Sequence, residues 1–82
     1  MTMEWKIGQV VLATAGRDKG KFLAVTCVED ERVWVCNGKD RPLERAKAKN
    51  PKHLQQTQTV LSAQAMATNR NLKKALRELT SK

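Results

Sequence analysis

Eighty-two residues predict about one domain, since domains of roughly 100 to 150 residues are commonest and shorter chains struggle to bury a core, and this argues against a two-domain enzyme. At 40% hydrophobic and 29% charged the composition is that of a globular protein, with only Trp5, Phe22 and Trp34 as aromatics, so a small aliphatic core is expected. A net charge of +8 predicts attraction to a polyanion such as nucleic acid or an acidic membrane face.

The charge is unevenly placed. Residues 1–40 hold six basic and six acidic side chains, whereas residues 41–82 hold ten and two, so the whole excess lies in the second half. Such asymmetry points to nucleic-acid or membrane contact, with a solvated basic tail as the alternative. No stretch has the apolar length of a secretion signal or a membrane span, which predicts a cytoplasmic protein with no membrane partner. Cys27 and Cys36 are too few for a disulfide scaffold and are expected to act as small buried hydrophobes.

In chain order, GQVVLAT (8–14) reads as a first strand and FLAVTCV (22–28) as a second, antiparallel to it. The polar loop between them, GRDKGK (16–21), has glycine at two places. After Glu29, Asp30 and Glu31 comes RVWVC (32–36), a third strand. Asn37 and Gly38 then predict a type I′ hairpin turn into a fourth strand over 39–43, with Pro42 marking an edge or an end. Simple register across the second hairpin would set Cys27 opposite Trp34 and Cys36 opposite Val25. The two thiols would then be diagonal neighbours roughly 7 to 8 Å apart, too far for an unstrained disulfide.

The segment 47–54 is polar, basic and broken by Pro51, either an extended closing segment or an exposed loop, with Leu54 as its one large apolar anchor. Four or five short strands with frequent turns predict a mainly β protein, a small closed barrel. Past Thr57 the composition changes: QTVLSAQAMAT (58–68) follows helical spacing only loosely. Beyond it Asn69 is a plausible cap, and Leu72, Ala75, Leu76 and Leu79 form the stripe of an amphipathic helix. Arg70, Lys73, Lys74 and Arg77 lie on its other faces. The stripe is expected to pack on the barrel with solvated charges; the alternative is a helix that binds a partner.

The inventory of reactive groups argues against catalysis. The single histidine, His53, has no cysteine or carboxylate near it in sequence, and Cys27, Cys36 and His53 are three potential metal ligands at unsuitable spacing. The three acids at 29–31 read as a solvated turn. No catalytic residue, metal, cofactor or small-molecule substrate is therefore expected. Phosphate binding fits better, because the 16–21 loop combines glycine-freed backbone N–H groups with Arg17, Lys19 and Lys21. A tight turn with solvated charges is the plainer reading of the same residues.

The stretch IGQVVLATAGRDKGKFLAV (7–25) resembles the KOW motif, with Gly20 at its hallmark glycine after Lys19. The blocks GRDKGK (16–21), AV (24–25), RVWV (32–35), NGKDRPLER (37–45) and KAKNPKHLQQT (47–57) resemble, in that order, the fourteen-e family of large-subunit ribosomal proteins and its short bacterial KOW-domain relatives. The likeness spans roughly 50 of the 82 residues. Leu23 stands where generic KOW motifs often have glycine, which favours the fourteen-e branch, and Ala46 stands where that pattern has proline.

The resemblance implies an SH3-like β-barrel KOW domain over 1–57, followed over 58–82 by a linker and a C-terminal basic amphipathic α-helix. It implies a non-enzymatic RNA-binding protein, ribosomal-protein-like, that contacts structured, ribosomal RNA, with ribosomal proteins as further partners. Carried over by position, Arg17, Lys19, Gly20 and Lys21 would meet RNA from the loop, and Arg41, Arg45, Lys47, Lys49, Lys52 and His53 would line an adjoining strip. With so few aromatics to stack bases, recognition should rest on shape and phosphate. The alternative function is a protein-interaction module docking on the transcription or translation machinery; duplex DNA binding is a third reading.

Overall fold

A computed structural model describes residues 4–80; the first three residues of the expected 1–57 barrel and the last two of the expected 58–82 segment lie outside the described residues. Five antiparallel strands form one sheet in the order β4-β3-β2-β1-β5: β1 (Gln9–Ala13), β2 (Phe22–Glu29), β3 (Arg32–Cys36), β4 (Lys47–Lys49) and β5 (Leu54–Val60). One helix follows, α1 (Asn69–Thr80).

The sheet is not closed into a barrel, and the expectation of an SH3-like barrel is corrected accordingly. β4 pairs only with β3, and β5 only with β1, so both remain edges. The physical reason lies between them. β4 is three residues long, and the chain leaves it through Asn50 into a 3-10 turn over Pro51–His53, where proline has no N–H to offer a ladder.

Both faces of this open sheet are nevertheless covered, which explains why its strands read as runs of aliphatics instead of alternating with polar residues. One face holds Val11, Ala13, Leu23, Val25, Val33, Val35 and Leu54, with Trp5 packed against them. Among the described residues no helix packs on this face; the sheet curls over its own side chains. The curl is aided by a bulge at Thr26, whose Oγ1 donates to the Trp34 carbonyl at 3.3 Å, and bulges sharpen strand twist. On the other face, Val10, Ala24 and Cys36 receive Leu72 and Leu76 of α1.

The first two hairpins form as the sequence predicts. β1 and β2 pair Val10 with Ala24 and Leu12 with Phe22. β2 and β3 turn through Asp30, which sits at φ 49°, and Glu31. Cys27 is opposite Trp34 as expected, but the bulge shifts the remaining register, so Cys36 faces Ala24 and not Val25. Both cysteines are free, Cys36 fully buried and Cys27 half-buried.

The predicted fourth strand over 39–43 does not form. Asn37 keeps a negative φ, so no type I′ turn arises; its Oδ1 instead accepts from the backbone N–H groups of Lys39 and Arg41, both at 2.9 Å. This side chain bends the chain into a wider loop, and Leu43–Arg45 then makes a 3-10 turn. The strand paired with β3 is the later segment Lys47–Lys49. Nor is 58–68 helical: β5 continues through Thr57 to Val60, held to β1 where Thr57 Oγ1 donates to the Val10 carbonyl at 2.7 Å, and turns follow.

α1 is amphipathic as expected. Leu72 and Leu76 are buried, Ala75 half-buried, Leu79 39% exposed, and Arg70, Lys73, Lys74 and Arg77 are exposed. Its cap is Thr68, not Asn69: Thr68 Oγ1 accepts from the Asn71 N–H at 3.1 Å. Asn69 is diverted to a tertiary role, accepting from the Leu43 N–H at 2.7 Å and donating to the Glu44 carboxylate at 3.0 and 3.1 Å. Among the described residues no helix is long and apolar enough to cross a membrane.

Candidate nucleic-acid interface

The 16–21 loop is built by two glycines in the left-handed region, Gly16 at φ 82° and Gly20 at φ 86°. The Gly20 N–H donates to the Ala13 carbonyl at 2.8 Å, and the Lys21 N–H to the Asp18 carbonyl at 2.9 Å, so the backbone folds tightly and aims alternate side chains apart. Arg17, Lys19 and Lys21 point outward and are exposed. Asp18 points inward and is only 2% exposed.

A buried carboxylate needs partners, and Asp18 has two. Lys49 Nζ, from β4, lies 3.1 Å from its Oδ2, and Arg41 Nε, from the 37–41 loop, donates to the same oxygen at 3.3 Å. Burial alone would raise the Asp18 carboxyl; the hydrogen bond and charge of Lys49, with Arg41 behind them, outweigh it and hold it below its ordinary 3.8. A second tie joins the same two loops: Lys21 Nζ reaches Asp40 Oδ2 at 2.6 Å, and this hydrogen bond and charge raise the lysine and lower the acid.

The expected RNA-contacting residues therefore divide into groups. Lys21, Arg41 and Lys49 are brought together, but each is engaged by a carboxylate, and the side chains of Arg41 and Lys49 are only 23% and 10% exposed. Arg17 and Lys19 stand on the outer side of the same loop. Gly20 has open space where a side chain would begin. His53 is joined to this end of the sheet by its backbone, its carbonyl accepting from the Thr14 N–H at 2.9 Å, and its side chain is exposed.

Three residues are less closely tied to the loop. Arg45 is exposed on the 3-10 turn, and Lys47 is exposed opposite Val35 on β4. Lys52 shares a shallow depression with Glu31 of the β2–β3 turn and Arg32 at the start of β3, beside the acidic end of the molecule. The strip inferred from sequence is thus graded, dense around Asp18 and dilute beyond it.

Sequence reasoning missed two features. Asp18 has no place in the expected contact set, although an acid flanked by cations in a glycine-bounded loop is the signal of an internal counter-ion. The helix is expected to pack by its leucine stripe with solvated charges or to bind a partner, and none of its cations belongs to the expected RNA-contacting set, yet Lys73 and Arg77 line the same groove as Lys21 and Lys39. Their spacing of one helical turn, on the side next to Leu76, was the available signal. Among the described residues no group of His, Cys, Asp or Glu is arranged to hold a metal ion. None of the family models compared with this chain matches it.

Proposed function

We propose that this protein is a non-enzymatic binder of structured RNA, of ribosomal type, using the 16–21 loop as its leading contact. The observation that carries the reading is the outward display of Arg17 and Lys19 on a loop whose own acid is turned inward and neutralised by Arg41 and Lys49. Such a loop presents positive charge and glycine backbone to a phosphate chain without a competing carboxylate at its tip. The resemblance to the KOW motif supports the same reading. Arg17 is the better source of selectivity, because a guanidinium bridges phosphates bidentately or stacks on an unpaired base, while lysine supplies charge.

The test is fluorescence polarisation with a labelled RNA hairpin. Reversing both charges, Arg17→Glu with Lys19→Glu, should weaken binding at least tenfold and leave the unfolding midpoint in place. Log affinity should fall linearly with log salt, by about 0.7 per single-stranded phosphate contacted and about 0.9 per duplex phosphate. Unchanged affinity in the double variant would remove the loop from the site. A flat salt response would favour docking on a protein of the transcription or translation machinery, and equal affinity for duplex DNA would favour a contact to phosphates alone.

A further inference from the structure

Between the 16–21 loop, the 37–41 loop and α1 lies a groove of about 430 Å³. Ligand sites run from roughly 300 to 1,000 Å³, so this one has room for a single small unit. Its floor is apolar, made by Leu76 of α1, a buried member of the helix-side core, and Phe22 at the start of β2, packed against the margin of that core. Phe22 is only half-buried, leaving part of its ring open to the groove. Around that floor stand four cationic side chains from three elements: Lys21, Lys39, Lys73 and Arg77. The one carboxylate on the wall, Asp40, is already engaged by Lys21.

An apolar, partly aromatic floor inside a cationic rim is complementary to a nucleotide, which has a flat base and an anionic phosphate. It is less suited to an acidic peptide, whose carboxylates would leave the exposed ring uncovered. We infer that the groove holds one unpaired nucleotide of the bound RNA, its base against Phe22 and Leu76 and its phosphate among Lys39, Lys73 and Arg77. This inference rests on the RNA-binding reading and deepens it: α1 becomes half of the interface, and the protein distinguishes RNA with an extruded base from a continuous duplex.

Two hairpins with a single-nucleotide bulge, one with adenine at the bulge and one abasic there, provide the test. The wild-type protein should prefer the adenine form by about tenfold, within the range of one base stacked on an aromatic side chain. Phe22→Leu retains aliphatic bulk for the core and should bind the two hairpins equally, while Lys73→Glu with Arg77→Glu should weaken both at least tenfold. Phe22 is the sole phenylalanine, so its ring protons also serve as an isolated NMR reporter, and adenosine monophosphate should shift them upfield. Equal wild-type affinity for the two hairpins, or a Phe22 ring unmoved by saturating nucleotide, overturns the inference. If the groove variants bind normally while Arg17→Glu with Lys19→Glu does not, the groove proposal alone fails. If the wild type binds neither hairpin, both fail.

Discussion

Asp18 and Lys49 meet at 3.1 Å although one belongs to the β1–β2 loop and the other to the far edge strand of the sheet. In a flat sheet β4 would lie about 10 Å from β2 and about 15 Å from β1, at the usual spacing of neighbouring strands. A lysine side chain does not cover that span, so the contact requires the curl that buries Val25, Val33 and Val35. The ion pair is therefore a tie across the open side of the sheet, where no backbone ladder joins β4 to the β1 side. It also fixes which way the loop points, and so where Arg17 and Lys19 are displayed.

Replacing this carboxylate should be costly. Asp18→Asn leaves Lys49 and Arg41 facing each other without a counter-charge. Breaking a fully buried pair costs roughly 3 to 5 kcal/mol; about 2 to 3 kcal/mol is expected here because Arg41 keeps some solvent. Lys49→Met should cost less, since Arg41 remains to pair with the acid. The acid limb of stability follows from the lowered Asp18 carboxyl. On acidification the unfolded chain takes up the proton first, near 3.8, and the folded chain only at lower pH. The contribution is thus complete above the unfolded value and lost as pH falls through the folded one. Urea midpoints measured down to pH 2.5 should show a steeper acid loss in wild type than in Asp18→Asn; parallel curves would mean that the pair contributes nothing.

Two glycines that look alike in sequence should respond differently to substitution. Gly20 and Gly38 both adopt the left-handed region, at φ 86° and 79°. A Cβ on Gly20 would enter open space, so Gly20→Ala should cost only the conformational term, about 1 kcal/mol. A Cβ on Gly38 would overlap the Asn69 carbonyl and stand 3.1 Å from the Lys73 backbone nitrogen. Gly38→Ala should therefore cost several times more and loosen α1, seen as faster amide exchange at Leu72 and Leu76 than in Gly20→Ala. Equal exchange in the two variants would show that α1 does not depend on this close approach.

The strands and the helix were legible in sequence where local composition and core contacts agree: QVVLA, FLAVTCVE and RVWVC are aliphatic, β-branched and bounded by turn residues, and Leu72 and Leu76 carry their own period. The reading failed where a single side chain redirects the backbone. Asn37 uses its carboxamide to bend the chain toward Arg41, which displaces the fourth strand from 39–43 to Lys47–Lys49. Thr57 substitutes its hydroxyl for part of a ladder, which lets β5 run on through polar residues to Val60. The cations of the site were legible as a set. Which of them stay turned outward was not, because that depends on a buried partner, Asp18, whose neighbours come from separate elements.

The two adjacent residues at the start of α1 have separable roles. Thr68→Ala removes a cap and should cost about 1 kcal/mol, with fraying confined to the first turn. Asn69→Ala leaves the half-buried Leu43 N–H without its acceptor, at a cost of about 1 to 2 kcal/mol, and should free the 3-10 turn from the helix. It also removes the hydrogen bond that, first among its neighbours, holds the Glu44 carboxyl below 4.5, so that carboxyl should rise. An NMR titration of Glu44 distinguishes the variants: a shift in Asn69→Ala and none in Thr68→Ala.

Cys36 supplies the alkaline counterpart of Asp18. Burial against Ala24 and Leu72, aided by the charge of Glu44, pushes its thiol up to about 11 from 9.0. Above pH 9 the unfolded chain ionises this thiol while the folded chain keeps it neutral, so stability present below pH 9 is lost as pH rises through about 11. Cys36→Ala, which lacks the titrating group, should show a shallower decline over that interval despite a lower midpoint at neutral pH. The same burial governs reactivity, because the thiolate is the nucleophile. Iodoacetamide at pH 8 should therefore label the half-buried Cys27 first and Cys36 only as the protein unfolds. Equal labelling rates in the native protein would show that the helix-side core opens readily around Cys36.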